Sequence, residues 1–274
     1  MPINIYVNGI GGLGNCLFQI STAIYYKEMF GGNILLNNNN KIKFGTSNKF
    51  GRKQNVIKLG KDIPYTETIF KCFDMCKKGK KNCIKIHNDN TNNKIVPSKN
   101  ILISGYCQNI HLFEEYLHKV PQYLNLNDPT IINYIKSKYE NIEQGIFIGL
   151  RVGDDFKHMK KITRKSYQNA LEKLKYMNIN IDNLFVVSDV DDAWVDKFDL
   201  QNLYPATFIN ENDITQIYVG LMCKHYILSE STFHLWIAYL GTINNIDKKV
   251  IVFKDTDLTN RPLSLDNWIK VDLY

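Results

Sequence analysis

Four segments of this chain carry residue types that can do chemistry, each at the end of an apolar run. The first is Gly11-Gly12-Leu13-Gly14-Asn15-Cys16-Leu17-Phe18-Gln19, set between Ile3–Val7 and an amphipathic stretch starting near Leu17. Strand, glycine turn and helix form a phosphate-binding layout. The glycines let the backbone pass close to a ligand, and the N–H groups of the helix's first turn favour an anion. A P-loop would need a Lys-Ser/Thr pair after the last glycine, and a dinucleotide fingerprint would need G-x-G-x-x-G. The segment has neither, so it reads as an anion site or simply as a tight turn.

The second segment, Phe147-Ile148-Gly149-Leu150-Arg151-Val152-Gly153-Asp154, is a buried strand with an arginine where it gives out. Only Arg52, Arg151, Arg164 and Arg261 occur among 34 basic residues, so Arg151 stands out. At a strand's carboxyl end, where open α/β sheets bind ligands, it is a candidate fork for phosphate; the alternative is an ion pair with Asp154 or Asp155. The third segment, Leu184-Phe185-Val186-Val187-Ser188-Asp189, repeats the design. In the fourth, Tyr226-Ile227-Leu228 leads into Ser229-Glu230-Ser231-Thr232-Phe233-His234-Leu235-Trp236. There, small hydroxyl residues stand where a helix start offers N–H and O–H groups.

These segments, in this order, resemble the α-1,2-fucosyltransferase family and its α-1,6- and protein O-fucosyltransferase relatives. The family's G-G-L-G-N-Q-L-F-Q is met at Gly11 to Gln19 except for Cys16, and its G-Y-F-Q by Gly105-Tyr106-Cys107-Gln108. Its H-x-R-R-G-D is met by Arg151, Gly153 and Asp154, with Gly149 in place of the histidine and Val152 in place of the second arginine. Val187-Ser188-Asp189 is similar to F-S-D-D. Cys223-Lys224-His225 through Trp236 is similar to C-K-H…N-S-T-F-S-W-W, with Glu230, His234 and Leu235 departing, and Asp266-Asn267-Trp268-Ile269 resembles the closing tryptophan segment.

The resemblance implies an α/β, GT-B-like enzyme of two Rossmann-type lobes with mostly parallel sheets. It would move L-fucose from GDP-fucose to a glycan hydroxyl with inversion and without a metal or other cofactor. By position, Arg151 would clamp the diphosphate and Asp189 lie against the base. Ser231, Thr232 and Phe233 would add phosphate contacts, and Gly12, Gly14, Asn15 and Gln19 would close over the donor. The histidine's role has no heir. A site that loses a group built to read a base loses selectivity, so a different nucleotide sugar is the alternative donor, and an inactive glycan- or nucleotide-binding relative is a further one. For the general base, Asp154 is the first candidate, with Asp155 and His158 beside it.

The 274 residues are 44% apolar and 12% aromatic, enough for one or two real cores. The net charge is +7. The lysines are scattered apart from Lys77-Lys78-Gly79-Lys80-Lys81, a run that reads as a solvated loop, and no arginine–aromatic stripe accompanies them; the charge equally suits an anionic sugar nucleotide, with a nucleic-acid binder as the rival reading. No basic-then-apolar leader follows Met1 and no run is long enough to span a bilayer, from which a soluble, cytoplasmic protein of bacterial or viral type with reduced thiols is expected. Cys72, Cys76, Cys83 and His87 supply three thiols and an imidazole, but at irregular spacing in a Lys/Asn-rich stretch. Free thiols are expected there rather than zinc. Asp189-Val190-Asp191 also fits the D-x-D of a metal-dependent GT-A transferase, the rival reading of the third segment.

Apolar runs predict strands near 3–8, 32–37, 101–105, 146–151, 184–188, 225–229 and 249–253. Helices are predicted near 15–29, 110–119, 129–143, 165–177, 213–223 and 231–240. The Asn- and Pro-rich stretch from Pro121 to Pro129 predicts a division into residues 1–125, an acceptor-side lobe with the glycine turn, and 126–274, the donor lobe.

Overall fold

Short β-rich runs alternating with longer helical stretches require parallel sheets crossed by helices, and the chain is built that way. The structure, a computed structural model, describes residues 2–37, 65–76, 83–87, 99–151, 162–188, 204–245, 247–261 and 263–274. The chain divides into two compact units, Met1–Asn127 and Asp128–Tyr274.

The first unit holds β1 (Asn4–Val7), β2 (Asn33–Asn37), β3 (Asp74–Cys76), β4 (Ile84–Ile86) and β5 (Ile101–Ile103), in the order β3-β2-β1-β5-β4, with every pairing parallel. Helix α1 (Leu13–Phe30) follows β1 and buries Leu17, Phe18, Ile20 and Ile24 completely. Each such side chain contributes roughly 1.5–3 kcal/mol of burial. The stretch expected as a helix at 110–119 forms two 3-10 turns, Ile110–Leu112 and Glu114–Lys119, before the short α2 (Val120–Tyr123). Pro121, which lacks an N–H, fits only the opening of that helix.

The second unit holds β6 (Ile146–Leu150), β7 (Leu184–Ser188), β8 (Ala206–Phe208), β9 (His225–Leu228), β10 (Val250–Phe253) and β11 (Ile269–Val271), all parallel, in the order β11-β10-β9-β6-β7-β8. Counted within the unit, this is the doubly wound Rossmann order, in which the order of strand addition reverses between β6 and β9. The period of two along β6 sorts its side chains. Ile146, Ile148 and Leu150 pack with Tyr167, Leu171 and Leu174 of α4 (Arg164–Tyr176), while Phe147 points to the other face and meets His234 of α6 (Thr232–Thr242), ring centroids 5.8 Å apart.

Three helices of this unit start with side-chain caps. Asp128 accepts from Thr130 N–H at α3 (Pro129–Lys138), Thr163 from Ser166 N–H at α4, and Asn212 from Thr215 N–H at α5 (Asp213–Met222). Helix α3 stops at Lys138, short of the expected 143, because Asn141 turns left-handed at φ 55° and a 3-10 turn follows. Among the described residues, no helix is long and apolar enough to cross a membrane.

Candidate active site

In the first unit the reversal of strand order lies between β1 and β5, the place where open parallel sheets bind ligands. The segments after those two strands are Gly11–Gln19 and Gly105–Gln108. They meet directly: Gln108 Nε2 donates to Asn15 Oδ1 at 2.8 Å, and a Cβ on Gly11 would come within 3.1 Å of the Tyr106 ring. Gly11 adopts φ +85°, where a side chain would also strike Asn15 Nδ2 at 2.5 Å, so only glycine fits. Gly12 is exposed with nothing within 4 Å of its missing side chain, and it begins α1 without a side-chain cap. Gly14 is buried in the first turn.

Gln19, expected to contact the donor, has its side chain turned onto the glycine turn itself. Its side chain is fully buried; Nε2 donates to the carbonyls of Ile10 (2.8 Å) and Asn15 (3.1 Å), and Oε1 accepts from Ile10 N–H at 3.1 Å. Both amide hydrogens are thus spent on the turn, and Gln19 shapes it from beneath.

In the second unit the reversal lies between β6 and β9, with Ile148 level with Ile227. Arg151, partly buried, leaves the end of β6, and Ser229 to Phe233 leave the end of β9. Ser231 N–H donates to Ser229 C=O at 2.7 Å in a tight turn, and Ser231 starts α6 with its side chain making no cap bond. Ser231 is buried, and Thr232 and Phe233 are partly so. Behind the turn, Ser229 Oγ lies 2.9 Å from His234 Nδ1. The Tyr167 hydroxyl donates to Gly149 C=O at 2.8 Å, tying the end of β6 to α4. Asp154 and Asp189, with Asp155, His158, Asp191 and the Gly153 of the arginine motif, lie outside the described residues.

Cys223-Lys224-His225 stands at the opposite, amino end of β9 and is framework. Burial holds the His225 imidazole down to about 4, with Lys224, Lys249 and Lys248 adding to the effect, and its Nδ1 accepts from Lys249 N–H at 3.0 Å. Lys248 Nζ donates to the carbonyls of Cys223 (2.8 Å) and Leu221 (3.2 Å). Trp268 lies against Tyr239, centroids 5.1 Å apart, and is likewise core. The thiols of the candidate zinc cluster fall on different parts of the first sheet. Cys76 ends β3 and Cys83 directly precedes β4, and these are the two outer strands, about 19 Å apart at the usual spacing between paired strands. The His87 ring is within hydrogen-bond reach of Ser104 Oγ.

The sequence profile of glycosyl transferase family 11 matches residues 5–272, nearly the whole chain. The chain belongs to glycosyl transferase family 11. Solved structures place this family 11 transferase among GT-B-like fucosyltransferase folds. The α-1,6-fucosyltransferase NodZ, soaked with GDP-fucose, is 11% identical with a TM-score of 0.52, over 87% of this chain and 92% of that one. NodZ from Bradyrhizobium gives 10% and 0.53 over 88% and 93%, and an Arabidopsis thaliana FUT1 variant in complex with GDP gives 12% and 0.51 over 91% and 70%. At such identities the likeness is one of fold. No curated protein matches by sequence.

Three residues that brace the two reversal points had no such role assigned from the motifs: Gln108, Tyr167 and His234. Gln108 was visible as a motif member without a partner. Tyr167 had no local signal, since its bond to Gly149 spans 18 residues. His234 was visible only as a departure from the family pattern.

Proposed function

We propose that this family 11 enzyme transfers L-fucose from GDP-fucose to a glycan hydroxyl, with inversion and without a metal ion. The second unit would bind the donor and the first the acceptor. The observation that carries the reading is the placement of Arg151 and the Ser231-Thr232 turn on the two strands flanking the reversal of strand order in a Rossmann sheet, in a chain of this family. Cleaving the sugar–diphosphate bond puts growing negative charge on the leaving phosphate while the ring becomes oxocarbenium-like. A fixed guanidinium and a helix start whose cap side chain takes up none of its N–H groups answer that charge without reorganising. In this reading Arg151 grips the diphosphate, and Ser231, Thr232 and Phe233 add contacts to it. Asp189 faces the base, and Asp154 is the first candidate to take the acceptor's proton. Gly12, Gly14 and Asn15 form the wall that ligands approach on the first unit. The neighbours solved with GDP-fucose or GDP support guanine as the base.

The test is transfer to a panel of glycan acceptors from GDP-, UDP-, dTDP- and CMP-sugars, with and without EDTA. GDP-fucose should be consumed, and chelation should leave the rate unchanged. Transfer from a UDP-sugar that needs added manganese would overturn the reading and promote Asp189-Val190-Asp191 to metal ligands.

A further inference from the structure

Gly149 and His234, two separate departures from the family pattern, are one feature in three dimensions. A Cβ built on Gly149 would lie 2.3 Å from His234 Nδ1, 2.6 Å from Cγ and 2.9 Å from Cε1. The imidazole therefore stands in the space that any side chain at 149 would need. His234 is 3% exposed, held edge-on against Phe147 and 5.9 Å, centroid to centroid, from Phe233. Its Nδ1 and Ser229 Oγ are 2.9 Å apart and hydrogen-bonded, and Ser229 is itself 1% exposed.

His234 is the third residue of α6, the position from which a capping-box side chain reaches back to the cap residue. In α4, Ser166 does this with Thr163, and the Thr163 hydroxyl in return takes up the N–H of Ser166. His234 instead reaches past the cap residue Ser231 to Ser229, and the Ser231 side chain caps nothing. The turn is thereby pinned from behind by a side chain, while the cap leaves the first-turn N–H groups alone.

We propose that His234 is a positioning residue of the donor site: through Ser229 its imidazole fixes the Ser229–Phe233 turn against a nucleoside diphosphate, and residue 149 must be glycine because the imidazole fills its side-chain space. The proposal rests on the donor reading above and concerns the diphosphate, whichever base it carries. Calorimetric titration with GDP, with UDP and pyrophosphate alongside, tests it on folded variants. His234→Leu keeps volume but loses the bond, and Ser229→Ala removes the partner hydroxyl; each should weaken GDP binding roughly tenfold. His234→Asn places an amide atom near the Nδ1 position and should stay within about threefold of wild type. Gly149→Ala should weaken binding about as much as His234→Leu in the wild-type background, yet change little in a His234→Ala background, where the methyl enters vacated space. A Ser229→Ala protein that binds GDP as tightly as wild type would overturn the proposal, as would Gly149→Ala effects equal in both backgrounds. Wild-type protein that prefers UDP would overturn the guanine reading alone, and the same variants would then be titrated with UDP. Wild-type protein that binds neither nucleotide nor pyrophosphate would overturn both.

Discussion

The two strand-reversal points of this chain solve the same problem by different means. At β1 and β5 the turn is held by amides aimed at backbone: Gln19 bonds the main chain at both ends of the turn, and Gln108 holds Asn15. At β6 and β9 it is held by volume and a single side-chain pair, with the His234 ring filling the space beside Gly149 and reaching Ser229. A bond to backbone fixes both the residue type and its place, because the main chain cannot move to meet a substitute. A packed pair constrains only the sum, so one position can lose a side chain when the other gains it. Gly11–Gln19 departs from the family pattern only at Cys16, a buried thiol that reaches the Gly11 carbonyl and takes no part in the amide bonds, whereas at the second point both members of the packed pair, Gly149 and His234, depart.

The sharpest way to break the comparison is to strike the charge that the proposed donor site would present at the second reversal point. Arg151→Ala should lower kcat/KM for transfer by roughly 10²–10³-fold, the scale of losing a preorganised charge-stabilising donor. Thermal stability should change little. Arg151→Lys should recover only a small part, since an ammonium keeps the charge but not the two-pronged fit to phosphate oxygens. Wild-type kinetics in Arg151→Ala would leave Arg151 as structural, and the two reversal points would then differ in function as well as in bracing.

At the first reversal point the expected loss is in stability. Gln19→Leu leaves the Ile10 N–H and the Ile10 and Asn15 carbonyls without their buried partner, costing about 1–3 kcal/mol by denaturant titration. Gly11→Ala, forced to hold φ +85°, should cost a similar amount. Gly12→Ala is the control, because φ −74° and open space accept a methyl group; its midpoint should match wild type. If Gln19→Leu is as stable as wild type, the amide faces a ligand after all and the backbone-brace account of this turn fails.

The central strands were legible because four- and five-residue apolar runs such as Ile146–Leu150 are buried on both faces. Four strands were not: β3, β4, β8 and β11 have three residues each, stand at or next to a sheet edge or carry exposed positions, and are too short to show a period of two. Arg151 and the Ser231 turn were legible because a strand end and a helix start leave local marks. Gln19 was legible as a motif residue but not as a brace, since whether an amide faces a ligand or its own turn depends on where the chain doubles back. The Gly149–His234 pair was illegible because 85 positions separate residues that share one space.

The smallest effect expected is at the far end of β9, where nothing should reach the donor. His225 is held neutral down to about 4 against an ordinary value of 6.5, first by burial and then by Lys224, Lys249 and Lys248. The unfolded chain therefore takes up a proton at 225 below pH 6.5 that the folded protein refuses until about pH 4. The contribution is complete above pH 6.5 and is lost progressively as pH falls between those limits. His225→Asn keeps an acceptor for Lys249 N–H but cannot titrate, so the difference between its melting temperature and that of wild type should shift in the variant's favour from pH 6.5 to 4 and be flat above. GDP affinity at pH 7.5 should be the same in both proteins, because His225 stands at the amino end of the strand whose carboxyl end carries the Ser229–Phe233 turn. Parallel melting curves across that window would show that the folded protein protonates His225 as readily as the unfolded chain. A change in GDP affinity would show instead that the two ends of β9 are coupled, and the separation of framework from site along this strand would have to be given up.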